Sequence, residues 1–352
     1  MIVQSIIGWL RKGLKQIIPK ALLSWRRKHL LAKAVWRYTH YDADRFIRQS
    51  GIASNDVATL WAKLTRLQHV LEKALSLPQP RAGFGDWALQ ELLEVLPAYV
   101  GRVGHDRTAT GAILALRGYL TFHEERQVIP PYHQEIIGLL NSFQLPAGCA
   151  GDSPKPTLFL NRDDLMKKAR FPFADFALCR HSVRQFGAEA VTDDQILHAV
   201  GIAQKSPSVC NRQGARVHIY SDEAIKRAIL EIQSGSRGFG HLASHVIIIT
   251  FDMRCLLDPG ERHQAWIDGG LFAMSFLYAV HSLGLGACPL HWCVSPADDL
   301  ALRTVAEIPE SEEMIMLIAV GSLPPTFRVA ASARKELHEV ARLHGVHGKF
   351  RD

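Results

Sequence analysis

Apolar residues recur at helical spacing through residues 51–150 of the chain. From Asn55 to Ser76, one predicted helical face carries Leu60, Leu64, Leu67 and Leu71. The same spacing predicts further helices around residues 87–100, 107–122 and 134–143. The pattern stops in residues 145–157, where proline, glycine and serine are dense, and this stretch is predicted to be the main linker.

Residues 158–352 alternate between helical and strand patterns. A helix is predicted over residues 191–204, because Thr192 and Gln195 form a capping box before an apolar stripe. Another helix is predicted to begin at Ser221 or Asp222 and to end at Gly235. Runs rich in β-branched residues predict strands at 215–221, 246–251 and 314–321. The prediction is a mixed α and β domain with a central sheet between helical layers.

One stretch that is nearly free of charge, Gly269 to Leu290, raises the question of a transmembrane helix. It contains His281 and four glycines, and it ends in a Gly-Leu-Gly turn followed by Pro289 and Leu290. We interpret it as a buried helix that runs into a loop.

The composition is that of a folded protein, with 47% hydrophobic and 21% charged residues, which argues against a disordered or fibrous chain. The net charge of +7 is concentrated at one end: nine lysines and arginines precede the first acidic residue, Asp42, and leave the rest at −2. A basic arm suits an anionic membrane surface, an acidic partner or nucleic acid. We expect a small-molecule substrate and no nucleic-acid partner.

The arm, residues 1–50, begins with an amphipathic basic pattern over residues 1–28. A helix of this kind either lies in a membrane interface or packs on its own protein, and periodicity does not separate the two. No signal-peptide layout is visible, so a cytoplasmic location is expected, with peripheral membrane contact through residues 1–28 left open. The six cysteines form no CxxC pair and match no common zinc spacing, so reduced thiols and no metal site are expected.

Two polar segments carry the candidate chemistry. Residues 180–186, Arg-His-Ser-Val-Arg-Gln-Phe, place two guanidinium groups and a hydroxyl close together, which suits a phosphate or the polar edge of a planar ring. Residues 206–213, Ser-Pro-Ser-Val-Cys-Asn-Arg-Gln, offer amide side chains and backbone N–H groups to a heterocycle. The structural alternatives are a solvated basic turn and an ordinary polar loop.

In order and spacing these segments resemble the nitroreductase family, whose domains begin with an Arg-Arg/His-Ser-x-Arg-x-Phe element and continue with a Pro-Ser-x-x-Asn-x-Gln loop. The resemblance extends through residues 268–274, 283–289, 319–325 and 333–335. It implies an α+β domain with a three-layer α-β-α arrangement around a mainly antiparallel sheet. It also implies a homodimer that binds FMN and takes electrons from NADH or NADPH.

The resemblance implies three groups of flavin-binding residues. The first holds the phosphate, the ribityl chain and the pyrimidine edge, and comprises Arg180, His181, Ser182 and Arg184, with Arg334 or Lys335 at the phosphate. The second reaches the same flavin from the other subunit and comprises Pro207, Ser208, Asn211 and Gln213. The third lies beside the reactive flavin N5 and comprises Pro289, Leu290 and His291.

The chain departs from the family pattern in the second group, where Val209 replaces a common serine and Gly214 stands where Gln-Pro is expected. His291 is a candidate proton donor by position, and the alternative is a histidine packed in its loop. The implied activity is ping-pong hydride transfer from NAD(P)H through FMN to a small organic acceptor, such as a nitro compound or a quinone.

Two other functions are compatible with the sequence. One is a membrane-associated accessory protein of polysaccharide biosynthesis with a weak or vestigial flavin site, which the altered loop and the basic arm favour. The other is a flavin-dependent dehydrogenase of a biosynthetic intermediate. Residues 69–85 resemble a subgroup of nitroreductase-like proteins that has a helical N-terminal extension and is associated with surface-polysaccharide gene sets. His69, Glu72 and Lys73 are predicted to share a helix face, and Arg81, Gly83 and Gly85 are interpreted as a loop near the flavin. The alternative is a capped helix with i,i+4 charge pairs on its surface.

Overall fold

The structure is a computed structural model that describes residues 20–52, 54–77, 79–143, 156–157, 171–330, 332 and 334–344. Residues 1–19 and most of the predicted linker, residues 145–157, lie outside the described ranges. The N-terminal half consists of helices α1 (Lys20–Gln49), α2 (Val57–Leu75), α3 (Asp86–Val103), α4 (Arg107–Glu124) and α5 (His133–Ser142). The bounds of α2 to α5 confirm the helices predicted from the apolar spacing.

Helices α2 to α5 bury their apolar faces against one another. Asp56 and Asp106 begin α2 and α4 by accepting hydrogen bonds from backbone N–H groups of the first turn. The segment that follows α2 packs on this helical core, because the Gly83 N–H donates to His123 Nε2 at 2.9 Å and Phe84 meets the Tyr119 ring edge-on. Residues 81–85 are therefore a loop anchored within the helical half.

The C-terminal half holds a four-stranded antiparallel sheet in the order β1-β2-β4-β3. Its strands are β1 (Ala215–Tyr220), β2 (His245–Asp252), β3 (Leu285–Leu290) and β4 (Glu312–Ser322). Its helices are α6 (Phe173–Leu178), α7 (Asp193–Ala203), α8 (Glu223–Ile232), α9 (Gln264–Ser282), α10 (Pro296–Ala306) and α11 (Leu337–Val340). The Thr192 and Gln195 capping box and the Asp222 N-cap are present as predicted.

Alternate side chains of β2 face opposite layers. Ile247 and Ile249 pack with residues of α7 and α9, whereas Val246 and Ile248 pack with residues of α8 and α10. All four side chains are fully buried, so the sheet is covered on both faces. This arrangement confirms the predicted three-layer α+β fold class.

The prediction of a loop after the buried helix is wrong, because residues 285–290 form β3. Gly286 and Pro289 conceal the strand in the sequence. Proline is tolerated at a sheet edge, where its missing N–H interrupts no ladder. β3 is an edge strand, and its position decides where the candidate site lies.

Helix α1 joins the C-terminal half through its last turns. The Arg45 guanidinium is buried and lies 2.7 Å from a Glu313 carboxylate oxygen. Tyr41 donates a hydrogen bond of 2.8 Å to Asp299. Among the helices of the described ranges, none is long and apolar enough to cross a membrane.

Candidate functional site

The segment 180–186 lies in extended form along the outer side of β3. Ser182 forms a parallel bridge with Ala287, and the Val183 N–H donates to the Ala287 carbonyl at 2.9 Å. Val183 is buried, so the flanking side chains of Ser182 and Arg184 point away from the core. A Cβ on Gly286 would come within 3.2 Å of Val183, which explains the glycine at this close approach.

Arg180 presents an unpaired donor in this segment. Its Nη1 atom is buried and has no hydrogen-bond partner in the structure. Burial of an unpaired charged donor is costly unless an acceptor arrives, and an anion is the strongest acceptor available. Arg180 and His181 line a small cavity of about 50 Å³ with Leu277 and Phe327.

Arg184 and Arg180 both act electrostatically on the thiol of Cys288. Burial raises the pKa of the Cys288 thiol, and the positive charges of Arg184 and Arg180 oppose that shift. The Arg184 guanidinium is exposed, lies 5.8 Å from the centre of the Phe239 ring, and makes only a long contact of 3.4 Å with the Ser182 carbonyl. The charges of both guanidinium groups therefore act on Cys288.

The end of β3 brings Pro289, Leu290 and His291 to this side of the sheet. Gln233 fixes the strand end, since its Nε2 donates to the His291 carbonyl at 3.0 Å and its Oε1 accepts the Gly235 N–H at 2.8 Å. Gln233 was not predictable from the sequence, because a single glutamine at a helix end carries no pattern. The exposed His291 accepts the Cys293 N–H at Nδ1 over 3.3 Å, so its contacts are those of a loop residue.

The loop of residues 206–213 lies at the other end of the sheet, directly before β1. Its backbone is strained, with φ values of 48° at Cys210, 53° at Asn211 and 45° at Gln213. Strain of this kind persists only where surrounding contacts hold it, and it clusters at functional sites. The side chains of Asn211 and Gln213 are exposed.

Buried polar contacts hold this loop in place. The Val209 N–H donates to Asp268 at 3.0 Å, and the Gln213 N–H donates to Ser208 Oγ at 3.0 Å. Arg212 is fully buried and binds the Glu261 carboxylate through two nitrogens at 2.9 and 2.6 Å. Val209 therefore contributes its backbone, which makes the missing serine side chain tolerable here.

Gly214 occupies a position that has no room for a side chain. A Cβ there would collide with the buried ring of Phe251. We expect Gly214→Ala to lower the free energy of unfolding by roughly 1–3 kcal/mol, because overpacking a buried site forces its neighbours to shift. Urea unfolding measures the change. Gly138→Ala is the control, since a Cβ in α5 meets no atom within 4 Å, and equal losses in both variants would contradict the steric explanation.

A cavity of about 330 Å³ lies beside the 206–213 loop. Its walls include Pro207, Ser208 and Phe272 from the C-terminal half, and Trp61 from α2. The Trp61 Nε1–H donates to Thr108 at 3.1 Å, which fixes the indole in this position. The sequence showed Trp61 only as part of a leucine-rich helix, so its place in this wall was not predicted.

One chain does not bring the two segments together. Residues 206–213 adjoin β1 and residues 180–186 adjoin β3, and these strands are opposite edges of the sheet. Neighbouring strands are about 4.8 Å apart, so the two edges are separated by roughly 14 Å. Within one chain, the two segments therefore lie at opposite edges of the sheet.

The C-terminal tail contacts the 180–186 segment at Arg328, which precedes the predicted Arg334 and Lys335 in the chain. The Arg328 N–H donates to Gln185 Oε1 at 2.9 Å. Arg334 and Lys335 are both exposed, and the Arg334 guanidinium donates to the nearby Ser332 carbonyl. A phosphate contact from Arg334 or Lys335 stays a prediction.

Asp299 connects the N-terminal helix to the loop that follows β3. It accepts hydrogen bonds from Tyr41 at 2.8 Å, from Trp292 Nε1 at 2.9 Å and from Arg303 at 2.8 Å. Burial alone would raise the pKa of Asp299, but Arg303 and the hydrogen bonds outweigh it, and the pKa is lowered. The Asp299 carboxylate therefore links α1 to Trp292, the residue that follows His291.

Residues 177–236 and 232–322 match the model of the nitroreductase family. The match covers less than half of the chain, and it contains the segment at Arg180, the 206–213 loop and the whole sheet. With the antiparallel sheet, it gives the C-terminal half a nitroreductase-like fold. No curated protein sequence matches the chain.

Several solved structures are similar to the chain. A nitroreductase-like protein from Streptococcus mutans is 21% identical, with a TM-score of 0.44, over 49% of this chain and 98% of its own. A protein from Desulfovibrio desulfuricans, solved in complex with FMN, is 23% identical, with a TM-score of 0.43, over 50% and 98%. An FMN-dependent nitroreductase from Clostridium difficile is 18% identical, with a TM-score of 0.41, over 48% and 98%. Similarity of this extent transfers no residue role.

Proposed function

We propose that the C-terminal half binds FMN and acts as an oxidoreductase that uses NADH or NADPH to reduce a small organic acceptor, such as a nitro compound or a quinone. The observation that carries the proposal is the buried, unpaired Nη1 of Arg180, beside the outward-facing Ser182 and Arg184. A phosphate would pair that donor, and a hydroxyl and a second guanidinium suit a ribityl chain and a polar ring edge.

In this proposal the chain's residues bind and orient, and FMN supplies the redox chemistry by accepting and releasing hydride in two half-reactions. Arg180 and Arg184 would hold anionic groups and favour the negative charge of a reduced flavin. Gln233 would position the strand end that carries Pro289 and His291, through its bond to the His291 carbonyl. His291 is a candidate proton donor to the acceptor.

The proposed active form is a homodimer, which supplies the second segment to each site. Helix α9 leaves a large apolar surface uncovered, formed by Trp266, Ile267 and Leu271. An exposed apolar patch of this kind is typical of a subunit interface. A second copy would bring its Pro207, Ser208 and Asn211 to the flavin held by Arg180.

We expect Leu271→Glu to separate the dimer and to reduce FMN binding at least about tenfold, because a buried unpaired carboxylate opposes association. Light scattering gives the mass and a fluorescence titration gives the FMN affinity. Leu300→Glu on α10 is the matched control, since that leucine is exposed to a similar extent outside this face. A variant that stays dimeric and binds FMN normally would rule out this interface.

The function is tested by the visible spectrum of the purified protein before and after anaerobic addition of NADH or NADPH. A yellow protein that bleaches supports the proposal, and turnover with nitro and quinone acceptors then identifies the substrate. A yellow protein that does not bleach supports a flavin-dependent dehydrogenase. A colourless protein that fails to bind added FMN overturns the proposal and favours an accessory role.

A further inference from the structure

Helix α1 leaves most of its described length uncovered by the rest of the protein. Leu22, Trp25 and Trp36 are 53%, 62% and 74% exposed. Positions 22, 25, 29, 32 and 36 recur at intervals of three and four, so these side chains share one side of the helix. Leu31 and Val35 extend the apolar surface to an adjoining side and are exposed as well.

The same part of the helix is strongly basic. Its bases are Arg26, Arg27, Lys28, Lys33 and Arg37, all of them exposed. No acidic residue precedes Asp42 in the chain. Two copies of this helix would bring like charges together, which disfavours self-association, whereas an anionic surface attracts every one of these bases.

The other end of α1 is fixed to the C-terminal half. Arg45 is buried against Glu313 and Tyr41 is bonded to Asp299, which also binds Trp292. Contacts of this helix end therefore reach the loop after β3. Whatever the exposed part of α1 binds is held at a fixed position relative to the sheet.

We propose that residues 22–37 of α1 lie in the interface of an anionic lipid bilayer. Trp25, Trp36 and Leu22 insert at headgroup depth, and the neighbouring lysines and arginines contact anionic headgroups. The helix lies parallel to the surface. Tyr41 and Arg45 hold the nitroreductase-like domain beside the membrane.

Flotation of the full chain with lipid vesicles tests the proposal. We expect binding to phosphatidylcholine vesicles that contain phosphatidylglycerol and weak binding to phosphatidylcholine alone, with a loss as salt increases. Tryptophan emission should shift to the blue only with the anionic vesicles. Replacing Arg26, Arg27 and Lys28 with glutamate should lower the affinity at least about a hundredfold, because each base near such a surface contributes roughly fivefold.

Matched variants separate the helix from general charge and hydrophobicity. Trp25→Ala with Trp36→Ala should lower binding and remove the blue shift, whereas Trp87→Ala, an exposed tryptophan of α3, should leave both unchanged. Glutamate at Arg117, Lys205 and Arg227, three exposed bases elsewhere, should affect binding far less. Equal binding to neutral vesicles, equal losses in both charge variants, or a change in oligomeric state of the tryptophan variant without lipid would overturn the proposal.

Discussion

Arg180→Ala is expected to lower the affinity for FMN by about two orders of magnitude. The guanidinium has a buried nitrogen without a protein partner, so a bound phosphate would gain a charged hydrogen bond that water does not compete for. Loss of such a bond costs about 2–4 kcal/mol. Arg184→Ala should cost less, about tenfold, because that guanidinium is exposed. Titration of the apo-protein with FMN, followed by flavin fluorescence, measures both.

The same substitution separates binding from stability. Removing a buried donor that has no partner takes away a desolvation cost, so the apo-protein with Arg180→Ala should unfold at the same temperature as the parent or slightly higher. Arg227→Ala on α8, an exposed base, is the control for the loss of one positive charge. Unchanged FMN affinity in Arg180→Ala, or an equal loss in Arg227→Ala, would remove Arg180 from the site.

Local signals were sufficient to predict most elements of the fold. The helix after Thr192 begins where its capping box lies, and β2 and β4 coincide with apolar runs rich in β-branched residues. β3 was not predicted from the sequence, because Gly286 and Pro289 are residue types that disrupt a central strand. Only its place at the sheet edge makes them acceptable, and that place depends on strand order, which local pattern does not encode.

The candidate site was predictable in composition and much less so in arrangement. Ser182 and Arg184 alternate with the buried Val183, as the period of an extended segment requires. The separation of Arg180 from Ser208 by the width of the sheet follows from topology. The position of Trp61 in the wall of the larger cavity depends on packing between the two halves of the chain. The residue pattern of a single helix carries no information on that packing.

Arg212→Ala is expected to lower the free energy of unfolding by about 3 kcal/mol. Arg212 is fully buried, bonds the Cys255 carbonyl at 2.6 Å, and pairs with both oxygens of Glu261. Breaking a buried pair leaves an uncompensated charge, and Glu261 keeps some contact with water, which places the cost near the low end for such pairs. Urea unfolding measures it. Arg48→Ala is the control: its pairs with Asp44 and Glu310 are half exposed, so it should change stability by less than about 1 kcal/mol.

The pH dependence of stability tests the Glu261 side of this pair. Burial alone would raise the pKa of Glu261, but the hydrogen bonds from Arg212 and the Leu257 N–H outweigh it, and the pKa lies below its ordinary value of 4.5. A lowered pKa contributes stability above the unfolded value, and this contribution is lost as the pH falls through the folded value. Glu261→Gln should therefore be less stable than the parent near pH 7, and the difference should shrink below about pH 4.5. A difference that stays constant down to acid unfolding would show that the carboxylate charge is not what holds Arg212 and, with it, the strained loop at Cys210 to Gln213.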